Sequence, residues 1–228
     1  MFTAMGFGTG CVTNGRRVYL KEYGPSVPVQ TAPDLKGAKV YVGKFDCATN
    51  LMILELQTKE EEPEGYKYRE VAKADDKVWD KEQTALAKST SQADWKEIGN
   101  MRNGFGMVMS HVYALNDPGT WLADNLRMDL QSQGANVVDV SQAVNADVSI
   151  SGVIQLCRVD MYFTAHADFV VDIDVRTRQG AVQHRQIHTR GATAASLASE
   201  GEFFHALRDC RQKFSIFAIR EMAQALKH

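Results

Sequence analysis

The sequence predicts an α+β fold, a largely antiparallel β-sheet with two main helices packed on one face, plus a polar excursion. Three observations carry this. Residues 105–114 and 147–190 alternate apolar and polar side chains with the two-residue period of half-buried strands. Residues 117–134 and 199–226 instead show helical spacing of apolar side chains behind recognisable caps. Arg178-Gln179-Gly180 sits between two alternating runs and reads as a short hairpin loop, with glycine where a left-handed residue is needed.

In chain order, residues 1–36 read as an N-terminal anchor and Pro-rich tether ahead of a single domain over 37–228. The opening MFTAMGFGTGC is apolar and small, without a basic start, and shorter than a secretory signal. Gly8-Thr9-Gly10 before Cys11 fits the small-residue chemistry of a bacterial lipoprotein acylation site, although the usual leucine three residues earlier is absent. An ordinary terminus with a free or buried cysteine fits the stretch as well. Pro25, Pro28 and Pro33 then punctuate an extended arm expected to lie on a surface.

Val40, Val42 and Phe45 mark a first strand over 38–46. Residues 51–97 read as an excursion: an acidic loop, QTKEEEPEG, then a short polar helix over 75–93 whose apolar points are Val78, Trp79, Leu86 and Ala87. The glycines of IGNMRNGFGM could suggest a phosphate cradle, but no helix and no Lys-Ser/Thr pair follow. Asn103-Gly104 reads instead as a tight turn leading into a strand, with Phe105, Met107, Met109, His111 and Tyr113 on one side.

Asp117 is an N-cap with Pro118 behind it, Leu122, Leu126 and Leu130 form the apolar stripe, and Gly134 ends that helix. ANVVDV is a short strand, and 147–163 a long one with Val148, Ile150, Ile154 and Leu156 on one face. Next, Ala165, Ala167, Phe169, Val171, Ile173 and Val175 alternate with a polar row expected to face water. The hairpin register sets Asp174 opposite His184 and Val171 opposite Ile187. Ser199-x-x-Glu202 opens the last helix as a capping box. Phe203, Leu207, Cys210, Phe214, Phe217 and Met222 form its inward stripe, with Ile216, Ile219, Ala223 and Leu226 as a second.

A formal charge of −2 leaves no basic excess for a nucleic-acid backbone, and no run is long and apolar enough to span a bilayer. His184 and His188 have a zinc-like spacing only on a helix; on a strand they stand roughly 13 Å apart, so no metal is expected. Asp168, Asp172 and Asp174 lie in a solvent row rather than a cleft, which argues against acid–base work. Cys157 and Cys210 read as buried, inert thiols. No catalytic, cofactor or metal residue is therefore expected. Trp121, Met101, Met107, Met109, Met128 and Met161 are either core packing or the lining of a groove for a lipid or partner helix.

VYVGKFD, IGNMRNGFGM, WLADNLRMDLQSQGANVV, ADVSISGVIQL and ADFVVDIDVRTRQGAVQHRQIHTRGAT, followed by the long closing helix, together resemble the YajG-like bacterial lipoproteins over residues 38–46 and 98–226. The resemblance implies a lipid on Cys11, a periplasmic α+β domain on the outer membrane, and no enzymatic activity; Val12 in place of Asp suits outer-membrane sorting. It points to a scaffold or accessory subunit of an envelope assembly, such as a secretion or motility machine, whose partners are other envelope proteins. The alternative is a lipid-transport auxiliary holding an acyl chain, or a transporter component, between sheet and helices.

Overall fold

A computed structural model describes residues 15–28, 32–52, 59–69, 73–103, 105–194 and 199–227. They form an eight-stranded mixed sheet with β1 (Arg16–Val18), β2 (Lys39–Cys47), β3 (Lys96–Arg102), β4 (Val108–Ala114), β5 (Asn136–Val138), β6 (Val148–Met161), β7 (Thr164–Thr177) and β8 (Val182–Ala194). Helices α2 (Pro118–Ser132) and α3 (Glu200–Ala225) pack on one face, while α1 (Lys73–Ser89) lies at the β1 edge. The fold is α+β. The longest ladders, β6 with β7 and β7 with β8, are antiparallel, whereas β2 and β3 run parallel to β6.

Strand β6 organises the sheet because its first half pairs with β2 and its second half with β3. The β7–β8 ladder has Asp174 opposite His184 and Val171 opposite Ile187, turned by a loop in which Gly180 adopts φ +89°. Capping follows local chemistry: Thr120 N donates to Asp117 Oδ2 (2.8 Å), and Ser199 and Glu202 complete the reciprocal box on α3. Gly134 ends α2 with φ +84°.

Inside, Phe214 meets Phe45 and Phe169 edge-on, and Trp121 closes against Phe169. Val40, Val42 and Phe45 are all buried although the third breaks a strict period of two, because β2 carries a register shift between Val42 and Phe45. A second shift, between Ile154 and Leu156, corrects the expected face of β6. Ile154 opposes inward Val171, but Leu156 opposes Val170 on the far side, and Cys157, Val159 and Met161 take over the inward positions. One extra residue inverts the parity of everything after it.

The tether expectation also needs correction over 15–28 and 32–35. Val18, Leu20, Val27 and Leu35 are buried in the common core, and β1 adds to the sheet parallel to β4. Prolines 25 and 28 turn this segment across α2 and α3 without loosening it. Helix α1 then seals the β1 edge. Gln83 Oε1 accepts from Tyr19 N (2.6 Å), its Nε2 donates to Arg17 O, and Trp79 Nε1 donates to Tyr19 O (2.8 Å). A glutamine amide thus stands where the next strand's peptide would be, closing an edge that would otherwise invite pairing. Of the four apolar points expected on α1, only Trp79 is buried, stacked on Phe204. Gln83→Ala is expected to cost about 1–3 kcal/mol by orphaning two backbone groups, with faster amide exchange at Tyr19 as its local signature.

Candidate interaction surface

Cys11, the expected lipid site, lies outside the described residues. The paired histidines do not converge: His184 is exposed and bonded to Asp174, whereas His188 is buried with Nε2 3.6 Å from Asp168 Oδ1. Among the described residues no three His, Cys, Asp or Glu side chains gather as a metal site.

The water-facing side of β7 and β8 is not uniformly wet, contrary to expectation, since Asp168 and Val170 of β7 and His188 of β8 are buried. Register explains Asp168: it stands directly between Arg158 on β6 and Arg190 on β8, at 2.8 and 3.4 Å, and two guanidinium stems cover it. Asp172 accepts from Gln155 (2.7 Å) and Gln186 (2.8 Å). Each of the three aspartates is engaged by its own cross-strand partners rather than turned toward a shared cleft.

Cys47, Cys157 and Cys210 are free thiols. Burial raises the Cys157 and Cys210 thiols above the ordinary range, and the Cys210 Sγ–H donates to Ala167 O (3.0 Å). Cys47 is raised first by burial and then by Asp117, against the opposing charge of Lys96. Because the folded values are raised, this stabilisation is complete below the ordinary thiol range and is lost as pH climbs through it. Urea midpoints are therefore expected to fall above about pH 8.5. In a Cys11→Ser chain a thiol reagent should reach at most Cys47 before unfolding and all three cysteines afterwards.

The excursion is strapped to its own domain where it is described. Glu61 N donates to His188 O (2.8 Å), Tyr66 Oη to Asp209 (2.6 Å), and Arg185 ties Glu61 to Glu221. Trp79 and Leu51 join the core. Residues 53–58 lie outside the described residues. The strap and the N-terminal segment together bury the side of α3 that would have faced water.

Beneath them lies a set of buried charges that sequence analysis missed. The Arg211 guanidinium, fully buried, donates to Glu22 Oε1 (2.8 Å), Glu22 Oε2 (2.5 Å), Asp129 Oδ2 (2.5 Å) and Ser26 Oγ (2.5 Å). Arg208 Nε adds a bond to Glu22 Oε2 (2.9 Å), and Asp129 Oδ1 accepts from Ser26 N (2.6 Å) and Val27 N (3.1 Å). Burial alone would lower the Arg211 pKa; the Glu22 and Asp129 charges outweigh it and hold the group above its ordinary value. The one available signal was Arg208, Arg211 and Lys213 placed beside two apolar stripes on one helix, which leaves little surface for water.

The methionines divide. Met161 and Trp121 are core, whereas Met107 and Met109 are exposed. The space between sheet and helices, where an acyl chain was one expectation, is filled by the Phe45, Phe169 and Phe214 cluster. On the helix-free face runs an open groove of about 1210 Å³ flanked by Trp95, Lys96, Asn100, Arg102, His111 and Arg158. Its charges are largely paired: Arg102 with Asp160 (3.1 Å), His111 with Glu97 (2.7 Å) and Lys96 with Asp117 (2.5 Å).

At one end of this face two turns stand side by side, because Met101 of β3 is paired with Met161 of β6. The β3–β4 turn is a wider loop than the two-residue hairpin expected at Asn103-Gly104: Asn103 Oδ1 accepts from Phe105 N and Met107 N (both 3.0 Å), and Gly106 adopts φ +80°. Gly104 lies outside the described residues, and β3 begins at Lys96, inside the stretch expected to be excursion. The two turns expose Phe105 (89%), Met107 (59%), Tyr162 (44%) and Phe163 (70%), the two last in edge contact at 4.3 Å. Large apolar side chains gathered this way mark a contact surface.

Neither a family model nor a curated protein matches the chain. Solved structures do. Protein XCC0632 from Xanthomonas campestris, of family DUF330, is similar at 12% identity over 90% of this chain and 96% of that one, with a TM-score of 0.51. An uncharacterized protein follows at 10% identity, 92% and 99% coverage and TM-score 0.46, and a minor lipoprotein from Acinetobacter baumannii at 9%, 56% and 91%, and 0.34. The first likeness shows the shared fold; the other two add nothing to it. No helix among the described residues is long and apolar enough to cross a membrane.

Proposed function

We propose that the chain is a non-enzymatic lipoprotein of the bacterial envelope, anchored through Cys11 to the periplasmic face of the outer membrane, and a scaffold or accessory subunit of an envelope assembly. The observation that carries the envelope reading is the apolar end of the sheet, where Phe105, Met107 and Phe163 stand exposed on adjacent turns. Supporting it, Asp168 and Asp174 of β7 and His184 of β8 are engaged in cross-strand pairs, a use that stabilises a sheet. The YajG-like pattern and the small residues before Cys11 support the anchor. A secretion or motility machine is the kind of assembly such a subunit serves.

Labelling cells with a clickable fatty acid tests the anchor: wild type takes the label and Cys11→Ser does not. Cross-linking and pull-down from envelope fractions test the scaffold role, with recovery of a stoichiometric complex as the expected result. An unlabelled wild-type chain removes the anchor, and a protein recovered only alone removes the assembly.

A further inference from the structure

We infer that the end of the sheet formed by the β3–β4 and β6–β7 turns is a membrane-contact surface, seated in the headgroup region of a lipid bilayer beside the anchor. The inference rests on the acylation of Cys11 proposed above and adds to it an orientation and a second point of contact.

Chain direction supplies the first argument. Strand β1 runs parallel to β4, with Arg16 opposite Val112 and Val18 opposite Ala114. Traced backwards, the chain therefore leaves β1 toward the start of β4, and Val108 at that start adjoins the Phe105 turn. Gly15 already lies against His111 O and the Tyr113 ring. Only residues 12–14 separate Cys11 from Gly15, a reach of about 14 Å at full extension. Val108 precedes Val112 by roughly 13 Å of strand. A lipid on Cys11 can thus enter a bilayer that touches this end of the molecule. The opposite end is a β6 length away, roughly 45 Å, and lies beyond that reach.

The side chains supply the second argument. Phe105, Met107, Tyr162 and Phe163 are aromatic or thioether groups on protruding turns, the chemistry that partitions into the headgroup and acyl boundary. The large hydrophobics exposed at the far end, Val140 and Val144 on a short helical turn between β5 and β6 and Val182 at the start of β8, are aliphatic and none is aromatic. Lying on the β1 edge instead would press the charged exposed side of α1, with Lys77, Asp80 and Lys81, into lipid. At the apolar end Arg102 is already paired with Asp160, and the chain carries no positive excess, so the contact is apolar and independent of anionic lipid.

The test places a tryptophan at each end of the full chain, Phe105→Trp or Val144→Trp, at positions exposed enough (89% and 84%) to leave the core untouched. Each protein is bound to neutral phosphatidylcholine vesicles with ordinary or brominated acyl chains, and clickable fatty acid reports separately whether Cys11 is acylated. The expected result is loss of the added emission at position 105 in brominated vesicles, unchanged in high salt, with emission at 144 retained. Without acylation the same loss at 105, read at high lipid, keeps the contact and removes only the anchor. Equal emission from both positions overturns the inference. So does a Phe105-dependent dimer in sedimentation that excludes lipid, which would make the surface an interface between copies.

Discussion

Replacing Arg211 with methionine is expected to lower the unfolding free energy by about 3–5 kcal/mol, because two carboxylates would be left buried with one cation fewer. The four charges, Arg208 and Arg211 against Glu22 and Asp129, are balanced as they stand. Burying them is costly, and only their mutual attraction and the bonds from Ser26 and Val27 offset it. Arg211 joins the N-terminal segment, α2 and α3 at one point, so hydrogen exchange in residues 16–28 should rise with the loss of stability. Urea unfolding measures the first effect and amide exchange the second. A loss under about 1 kcal/mol, typical of exposed pairs, would show that the segment is held by its apolar residues alone.

Gly191→Ala is expected to cost roughly 3 kcal/mol, a fall in Tm of roughly 6–12 °C for a chain of this size. A Cβ there would lie 2.2 Å from Ala206 O, 2.8 Å from Cys210 N and 3.0 Å from Asp209 Cβ. The first two are helix backbone and cannot rotate away, so α3 must lift from β8. The same lift would strain the Thr189 Oγ1 to Cys210 O bond (3.0 Å). Gly201→Ala is the control: its Cβ would meet only Ser199 Oγ at 3.7 Å, so helix propensity should leave it neutral or slightly stabilising. Equal melting temperatures for the two variants would mean that α3 does not rest on the Gly191 backbone.

Much of the fold was legible locally. The Asp117 and Ser199 caps, the left-handed glycines at 134 and 180, and the Asp174–His184 register all depend on neighbours in sequence, and all stand as expected. The bulge in β6 was not legible, because an extra residue between two apolar runs leaves each run looking regular while inverting their relation. Nor was the packing of residues 15–28, where two prolines read as part of an extended arm although Val18, Leu20 and Val27 are buried.

The candidate surface was half legible. Phe105, Met107 and Met109 stood out on one side of a strand, but alternation alone could not say whether that side met a helix or solvent. The answer came from β6, whose turn carries Tyr162 and Phe163 to the same place through a parallel pairing with β3.

The sequence by itself determined the α+β class, the hairpin, the helix ends and the two-striped closing helix, because each follows from backbone sterics and periodicity over a few residues. Only the tertiary structure decided which polar residues are buried, which edge α1 seals and which apolar side chains stay exposed. Burial and charge pairing depend on segments as far apart as Glu22 and Arg211, and no local pattern encodes that distance.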